Sequence, residues 1–219
     1  FSSAVFSPDR ERLASYRIAA NDDIWLYDVR RQITTRFTFA GGNNWYPVWT
    51  PDGRHVVYTA ERGSQPNLFW KTADGGGTEE RLSRSTYAQI ATSITADGKT
   101  LIYQQNSSNG DADVWAMEME GERKAHPILH SAFNESFATV SPDGHWMAYQ
   151  SDESGQTEIY AVPFPSGEGK MQISTGGGVD AHWTKGGAEI VYLGPGDNVI
   201  SVPITYMPQL RAGNAVTLF

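Results

Sequence analysis

The sequence predicts an all-β fold, a β-propeller built from five four-stranded repeats of about 44 residues. The first observation is a turn of the Ser/Thr-Pro-Asp-Gly type followed by an apolar run, which starts at residues 7, 50, 95, 141 and 184. Its spacing of 43 to 46 residues is typical of propeller blades. The second observation is the composition, because 22 Gly, 11 Pro and 12% aromatic residues suit short strands joined by tight turns.

The clearest copy of the repeated turn occupies residues 50–53, between two runs rich in Val, Trp and Tyr. Pro51 fixes φ for the first central position of a tight turn, Asp52 can bond its own downstream backbone, and Gly53 tolerates positive φ. The flanking β-branched and aromatic residues favour a pleated, half-buried surface. The stretch therefore predicts a β-hairpin.

The period divides the chain into blades at about residues 1–42, 43–87, 88–133, 134–177 and 178–219, which we expect to form a single domain. The predicted strands are 3–7, 12–18, 23–29 and 34–39; 46–50, 55–60, 67–72 and 80–83; 90–95, 100–105, 113–119 and 126–130; 137–141, 146–151, 158–164 and 170–174; 181–185, 189–193, 198–204 and 215–219. The chain has no starting Met and no signal peptide, so we expect it to be part of a longer protein.

Each third strand opens with a polar residue, then an aliphatic one, and usually an aromatic one. We expect the polar residue to accept backbone N–H groups from the preceding loop, and the aromatic ring to pack against the neighbouring blade. The five copies are Asp23-Ile24-Trp25, Asn67-Leu68-Phe69, Asp113-Val114-Trp115, Glu158-Ile159-Tyr160 and Asn198-Val199-Ile200.

These repeats resemble a known family, the WD40-like (TolB-type) β-propeller, whose copies carry a Ser-Pro-Asp-Gly turn and an Asp-Ile-Trp or Glu-Ile-Tyr strand. Residues 23–28, 34–39, 134–136, 151–155, 159–160 and 163–165 are also similar to the propeller part found C-terminal to eukaryotic-like bacterial serine/threonine kinases. The resemblance implies a protein-interaction module, as in the TolB component of the cell envelope, and a periplasmic or extracellular location. Because TolB-type propellers have six blades, the five repeats leave two alternatives, a five-bladed ring or a ring lacking one blade. The second would leave open sheet edges that invite self-association.

The composition excludes several functions. A net charge of −8 and a pI of about 5.1 argue against a nucleic-acid or anionic-membrane partner. Without cysteine there is no disulfide or thiolate site. The chain has neither a Gly-x-Ser-x-Gly elbow nor a phosphate-binding loop, and no stretch of 18 apolar residues. We therefore expect a non-catalytic protein without a cofactor and without direct insertion in the membrane.

Metal binding has a structural alternative at each candidate position. His126 and His130 could face the same side of one short strand, and a metal pair is the less favoured interpretation. Residues 109–113 alternate oxygen ligands as calcium loops do. However, Asp113 belongs to the repeated strand opening, so turn chemistry is favoured there, as it is for residues 21–23.

The candidate binding residues precede the first strand of a blade, where we expect inter-blade loops to meet the central channel. Large aromatic and hydrogen-bonding side chains are enriched at binding surfaces, although inter-blade packing would explain them as well. If the ring were a hydrolase or lyase acting on carbohydrate or peptide, Glu135, Asp180 and His182 would be the acid–base candidates. The whole set comprises Asn44, Trp45, Tyr46, Tyr87, Gln89, Asn134, Glu135, Asp180 and His182.

Overall fold

The computed structural model describes residues 2–206 and 210–219, which form the five antiparallel blades of a β-propeller. The predicted fold class is thus confirmed. The strands are β1 Ser2–Phe6, β2 Arg12–Arg17, β3 Asp23–Asp28 and β4 Ile33–Arg36; β5 Asn44–Trp49, β6 His55–Glu61, β7 Pro66–Thr72 and β8 Glu80–Arg81; β9 Gln89–Ile94, β10 Thr100–Asn106, β11 Ala112–Glu118 and β12 Ala125–Leu129; β13 Glu135–Val140, β14 Trp146–Ser151, β15 Glu158–Pro163 and β16 Met171–Gln172; β17 Val179–Thr184, β18 Glu189–Leu193, β19 Val199–Thr205, β20 Arg211–Ala212 and β21 Val216–Thr217.

Strands pair in chain order within each blade, and in blade five both β20 and β21 pair with β19. Two 3₁₀ turns, Lys185–Gly187 and Pro195–Asp197, flank β18. Among the residues that the structure describes, none lies in a helix long and apolar enough to cross a membrane.

Two compact units make up the chain, residues 1–101 with 118–123, and residues 102–117 with 124–219. The core of unit 1 contains Ile24, Val56 and Tyr58, all fully buried. Unit 2 has two apolar clusters, one around Met147 and Val162 and the other around Ile159 and Ile190. The expectation of a single domain stays a prediction.

In three blades the first strand begins two residues earlier than predicted, at Asn44, Glu135 and Val179. The reason is a β-bulge, because the pairing with the second strand shifts register between Trp45 and Val48 and between Ser136 and Thr139. The predicted strands begin at Tyr46 and Phe137, so the prediction places the two residues before each of these positions in loops. The residue four positions before the turn start has positive φ in four blades. These bulge residues are Ser3, Tyr46, Phe137 and Asp180.

In blades one to four, the polar residue that opens the third strand bonds the segment after the fourth strand, so the contact expected with the preceding loop is wrong as the main one there. In blade five, Asn198 Nδ2 donates to the carbonyl oxygen of Pro195 in the preceding turn at 2.6 Å. Glu158 Oε1 accepts the backbone N–H groups of Gly176 and Gly177 at 2.7 and 2.9 Å. Asn67 Oδ1 accepts the backbone N–H of Ser85 at 3.1 Å. These side chains therefore fix the loop that leads to the next blade.

In blades two, three and four, the aromatic residue of the third strand contacts an aromatic residue of the second strand in its own blade. Ring centroids lie 5.8 to 6.4 Å apart in these pairs. Such contacts add to the area that each ring buries. The pairs are Phe69–Tyr58, Trp115–Tyr103 and Tyr160–Tyr149.

Candidate functional site

In unit 1, Trp45 joins the first strand of blade two to the loop that precedes β3. Its Nε1 donates to Asp22 Oδ2 at 2.7 Å, and Asp22 Oδ1 accepts the backbone N–H of Ala19 at 2.9 Å. Trp45 is half-buried and packs against the core. Ile18, at the start of the same loop, is 71% exposed. The side chain thus holds an exposed apolar loop in place.

Tyr46 is the bulge residue of blade two and has φ of 51°. Its ring lies 5.7 Å from that of Tyr16, and burial raises the pKa of its hydroxyl above the ordinary value. We name the set Ile18, Asp22, Trp45 and Tyr46 the Trp45 surface. It combines two half-buried amphipathic rings with one exposed aliphatic side chain, which is a composition enriched at protein interfaces.

Three other candidates of unit 1 have different environments. Asn44 is fully buried, and its Nδ2 donates to the carbonyl oxygens of Asp22 and Gly42, both at 3.1 Å. Gln89 is also buried. Tyr87, which precedes β9, is exposed and is available at the surface.

In unit 2, Asn134 has a structural role that also occurs in unit 1. Its Oδ1 accepts the backbone N–H of Ala112 at 3.1 Å, and its Nδ2 donates to Asp152 Oδ2 at 2.6 Å. Asn43 stands at the same place relative to its turn, and it bonds Asp22 N and Glu61 Oε2 in the same way. Asn134 is therefore explained by the repeat.

Glu135 is a buried carboxyl group on β13. Its Oε1 accepts the hydroxyl of Ser131, while no partner for Oε2 is found in the described part of the chain. Burial raises the pKa of this carboxyl above its ordinary value, and the charges of Asp113 and Glu153 act in the same direction, against the Ser131 hydrogen bond. Glu135 is thus easier to protonate than an exposed glutamate.

Asp180 and His182 form an exposed pair on β17. His182 Nε2 lies 3.1 Å from Asp180 Oδ1, and this contact with the imidazole lowers the pKa of the Asp180 carboxyl. Within residues 2–206 and 210–219, no hydrogen bond or ion pair joins Asp180 or His182 to Glu135. Chemistry shared by the three groups stays a prediction.

A polar cleft of about 280 Å³ lies in unit 2, beside Asn134. The repeated hairpins place its walls, because two glutamines from second strands and two residues from β13 border it. Of the residues that line this cleft, only Asn134 is among the candidates predicted from the sequence. The lining consists of Gln104, Ala112, Asn134, Ser136, Phe137, Gln150, Asp152 and Thr157.

Of the metal candidates, His130 and the loop at residues 109–113 have protein partners. His130 Nδ1 lies 3.0 Å from Asp113 Oδ1, and the hydrogen bond and charge of Asp113 raise the pKa of the imidazole. In blade three, His130 occupies the position that Ser174 occupies in blade four, where Ser174 bonds Glu158. Asn109 bonds Ser107 and Asp111 inside its own turn. No group of three or more potential metal-ligating side chains occurs among the residues with described positions.

Residues 1–136 match the family model of the TolB beta propeller domain. An uncharacterised protein of Agrobacterium fabrum is 28% identical over 136 residues, which are 58% of this chain and 46% of that protein. The Tol-Pal system protein TolB of Helicobacter hepaticus is 24% identical over 92 residues, covering 42% of this chain and 21% of TolB. The chain thus matches less than half of the length of these curated relatives.

Solved structures agree on the fold. A TolB candidate from Agrobacterium tumefaciens superposes with a TM-score of 0.81 at 18% identity, covering 99% of this chain and 79% of that one. An oligogalacturonate lyase in complex with manganese superposes with a TM-score of 0.69 at 14% identity, covering 99% and 65%. At such identities the likeness shows the fold alone.

Proposed function

Because the chain belongs to the family of TolB β-propeller domains, we propose that it is a non-catalytic protein-interaction module that works outside the cytoplasm. The observation that carries the proposal is the Trp45 surface, in which a tryptophan bonded to Asp22 holds a loop with an exposed isoleucine. Trp and Tyr are the residue types that most often dominate binding energy at interfaces. The partner is a protein with an apolar patch that covers Ile18.

The relatives support the location and the class of partner. The Helicobacter hepaticus relative carries the name of a Tol-Pal system protein. We expect this chain to work in the same setting and therefore to fractionate with periplasmic or extracellular proteins. The kinase attachment and self-association through sheet edges stay predictions, and so does the channel hydrolase or lyase.

Trp45 itself is a poor position for testing the surface, because it packs against the core and its removal would also destabilise unit 1. The exposed Ile18→Ser change avoids this problem. Ile33→Ser is the matched control, since Ile33 is 55% exposed on the outer strand β4 of the same blade.

The experiment compares partners cross-linked to the chain and its variants in an envelope extract, quantified by mass spectrometry. Full burial of an Ile side chain contributes about 1.5–3 kcal/mol, so Ile18→Ser should lower partner recovery about tenfold or more. Ile33→Ser should match the unmodified chain. Equal recovery with both variants would contradict the proposed surface.

A further inference from the structure

We propose that the polar cleft of unit 2 binds a neutral, hydroxyl-rich ring such as a hexose, either free or at the end of a glycan. The proposal is independent of the Trp45 surface, which lies in unit 1. It rests on the hydrogen-bonding groups of the cleft that the repeat leaves unused.

Comparison of equivalent positions identifies the first unused group. In two blades, the side chain of the second-strand residue nine positions after the turn start accepts a hydrogen bond. The donor is a backbone N–H of the next blade, four positions before that blade's turn start. Thr59 Oγ1 accepts from Ala91 at 3.1 Å in unit 1, and Gln150 Oε1 accepts from Asp180 at 3.2 Å in unit 2. Gln104 occupies the same position in blade three, but no partner for its Oε1 is found among the described residues. Its side chain is 9% exposed.

Three further groups border the cleft with spare hydrogen-bonding capacity. Gln150 uses its Oε1 for Asp180, which leaves the two donors of its Nε2. Over the described ranges, the hydroxyls of Ser136 and Thr157 make no hydrogen bond to another protein group. Each of these hydroxyls can both donate and accept. The free capacity therefore includes both donors and acceptors. A ligand hydroxyl, which also donates and accepts, is complementary to this mixture.

The charge of the cleft selects against anions. Hydrogen bonds from the side chain and backbone of Asn134 lower the pKa of Asp152 below its ordinary value, so its carboxylate is ionised at neutral pH. No Lys or Arg is among the described residues that line the cleft. A sugar acid would meet this carboxylate without a compensating cation, whereas a neutral sugar can donate to its remaining lone pairs.

The size and one apolar wall favour a single ring. Ligand sites span roughly 300–1,000 Å³, and a volume of about 280 Å³ lies just below that range. Phe137 contributes the aromatic wall, and its bulge conformation, with φ of 48°, fixes the direction of the side chain. The C–H face of a sugar ring can pack on an aromatic ring while its hydroxyls reach the polar groups.

The test titrates the chain with glucose, N-acetylglucosamine, glucuronate and triglycine, up to tens of millimolar, and follows backbone amide resonances by NMR. At least one neutral sugar should shift the resonances of Ser136, Gln150 and Thr157, and glucuronate should bind at least about tenfold more weakly. N-acetylglucosamine attached at the end of a glycan should shift the same resonances if the physiological source is a glycan.

Gln104→Met tests the unused carbonyl without threatening the fold. The change removes a buried oxygen without a partner, which is favourable, and the 3.2 Å hydrogen bond from Gln104 Nε2 to Asn106 Oδ1, which is unfavourable. Because the two effects oppose each other, the stability of the free protein should change little. Sugar affinity should fall about tenfold. Gln172→Met, on the exposed side of β16, is the matched control and should keep full affinity.

Three results would overturn the proposal. They are the absence of any shift with both neutral sugars, shifts confined to residues away from the cleft, and binding of glucuronate or triglycine as strong as that of the neutral sugars. An unchanged sugar affinity in Gln104→Met would do the same.

Discussion

Replacement of Glu158 by Gln should destabilise unit 2 strongly, although the change removes no atom from the packing. The carboxylate is 1% exposed. It accepts hydrogen bonds from the Ser174 hydroxyl, the Gln156 amide at 2.7 Å, and the backbone N–H groups of Gly176 and Gly177 at 2.7 and 2.9 Å. Three of these four donors belong to the segment between blades four and five, which Glu158 therefore holds in place.

The magnitude follows from these partners. A glutamine keeps one carbonyl oxygen, and its NH₂ group must face at least one of the four donors. A buried donor without an acceptor costs about 1–3 kcal/mol, and the bonds that remain lose their charge-assisted strength. We expect Glu158→Gln to lower the free energy of unfolding by about 2–4 kcal/mol.

The pH dependence provides a second readout. Burial alone would raise the pKa of Glu158, but the hydrogen bonds from Ser174, Gly177, Gln156 and Gly176 outweigh it, so the folded-state pKa lies below the ordinary value of 4.5. The stability that this group contributes is therefore complete above the unfolded-state pKa and is lost as the pH falls through the folded-state pKa. Glu158→Gln should remove this component of acid sensitivity.

Urea unfolding followed by tryptophan fluorescence, repeated from neutral to acidic pH, measures both effects. Glu168→Gln is the matched control, because it makes the same chemical change at an exposed position after β15 in the same blade. A midpoint for Glu158→Gln equal to that of Glu168→Gln at neutral pH would refute the argument, and so would an unchanged loss of stability in acid.

Two further predictions concern a histidine and a glycine. The NMR titration midpoint of His130 should lie above its ordinary value of 6.5 because of Asp113, and Asp113→Asn should return it towards that value; an unchanged midpoint would contradict the pair. Gly42→Ala should destabilise by more than the roughly 1–2 kcal/mol of a left-handed alanine, since its Cβ would lie 2.2 Å from the carbonyl oxygen of Glu61. Gly144→Ala, with positive φ but open space, should show only the conformational cost in urea unfolding.

Much of the fold could be predicted because its signal repeats. The turn chemistry of Pro51, Asp52 and Gly53 is local, and the hairpin that it predicts lies between β5 and β6. The bulges could not be predicted, because Tyr46 and Asp180 share a backbone conformation without sharing a residue type. Positive φ at such residues is imposed by surrounding structure, and it leaves no compositional trace.

The candidate site was predicted less well, because a residue's position in the repeat does not show which of its atoms are engaged. Asn134 was selected for its polarity, yet Asn43 makes the same pair of contacts in unit 1. The sequence did contain a signal for this role. Both asparagines lie seven residues before a turn start, and an acidic residue, Glu61 or Asp152, follows eleven residues after that start.

Gln104 and Gln150 show why a repeat helps to locate a site only after the structure is known. The two side chains are identical and occupy equivalent positions, but only Gln150 has a recorded partner for its carbonyl oxygen, the backbone N–H of Asp180. The residue four positions before the next turn start is Phe137 for Gln104 and Asp180 for Gln150. Contacts that recur between blades, as those of Asn43 and Asn134 do, stabilise the array, whereas a polar group that one blade leaves unused is not required by it. Asn134 is therefore not a binding residue by this criterion, whereas Gln104 is one. Nothing in the sequence around Gln104 distinguishes it from other residues.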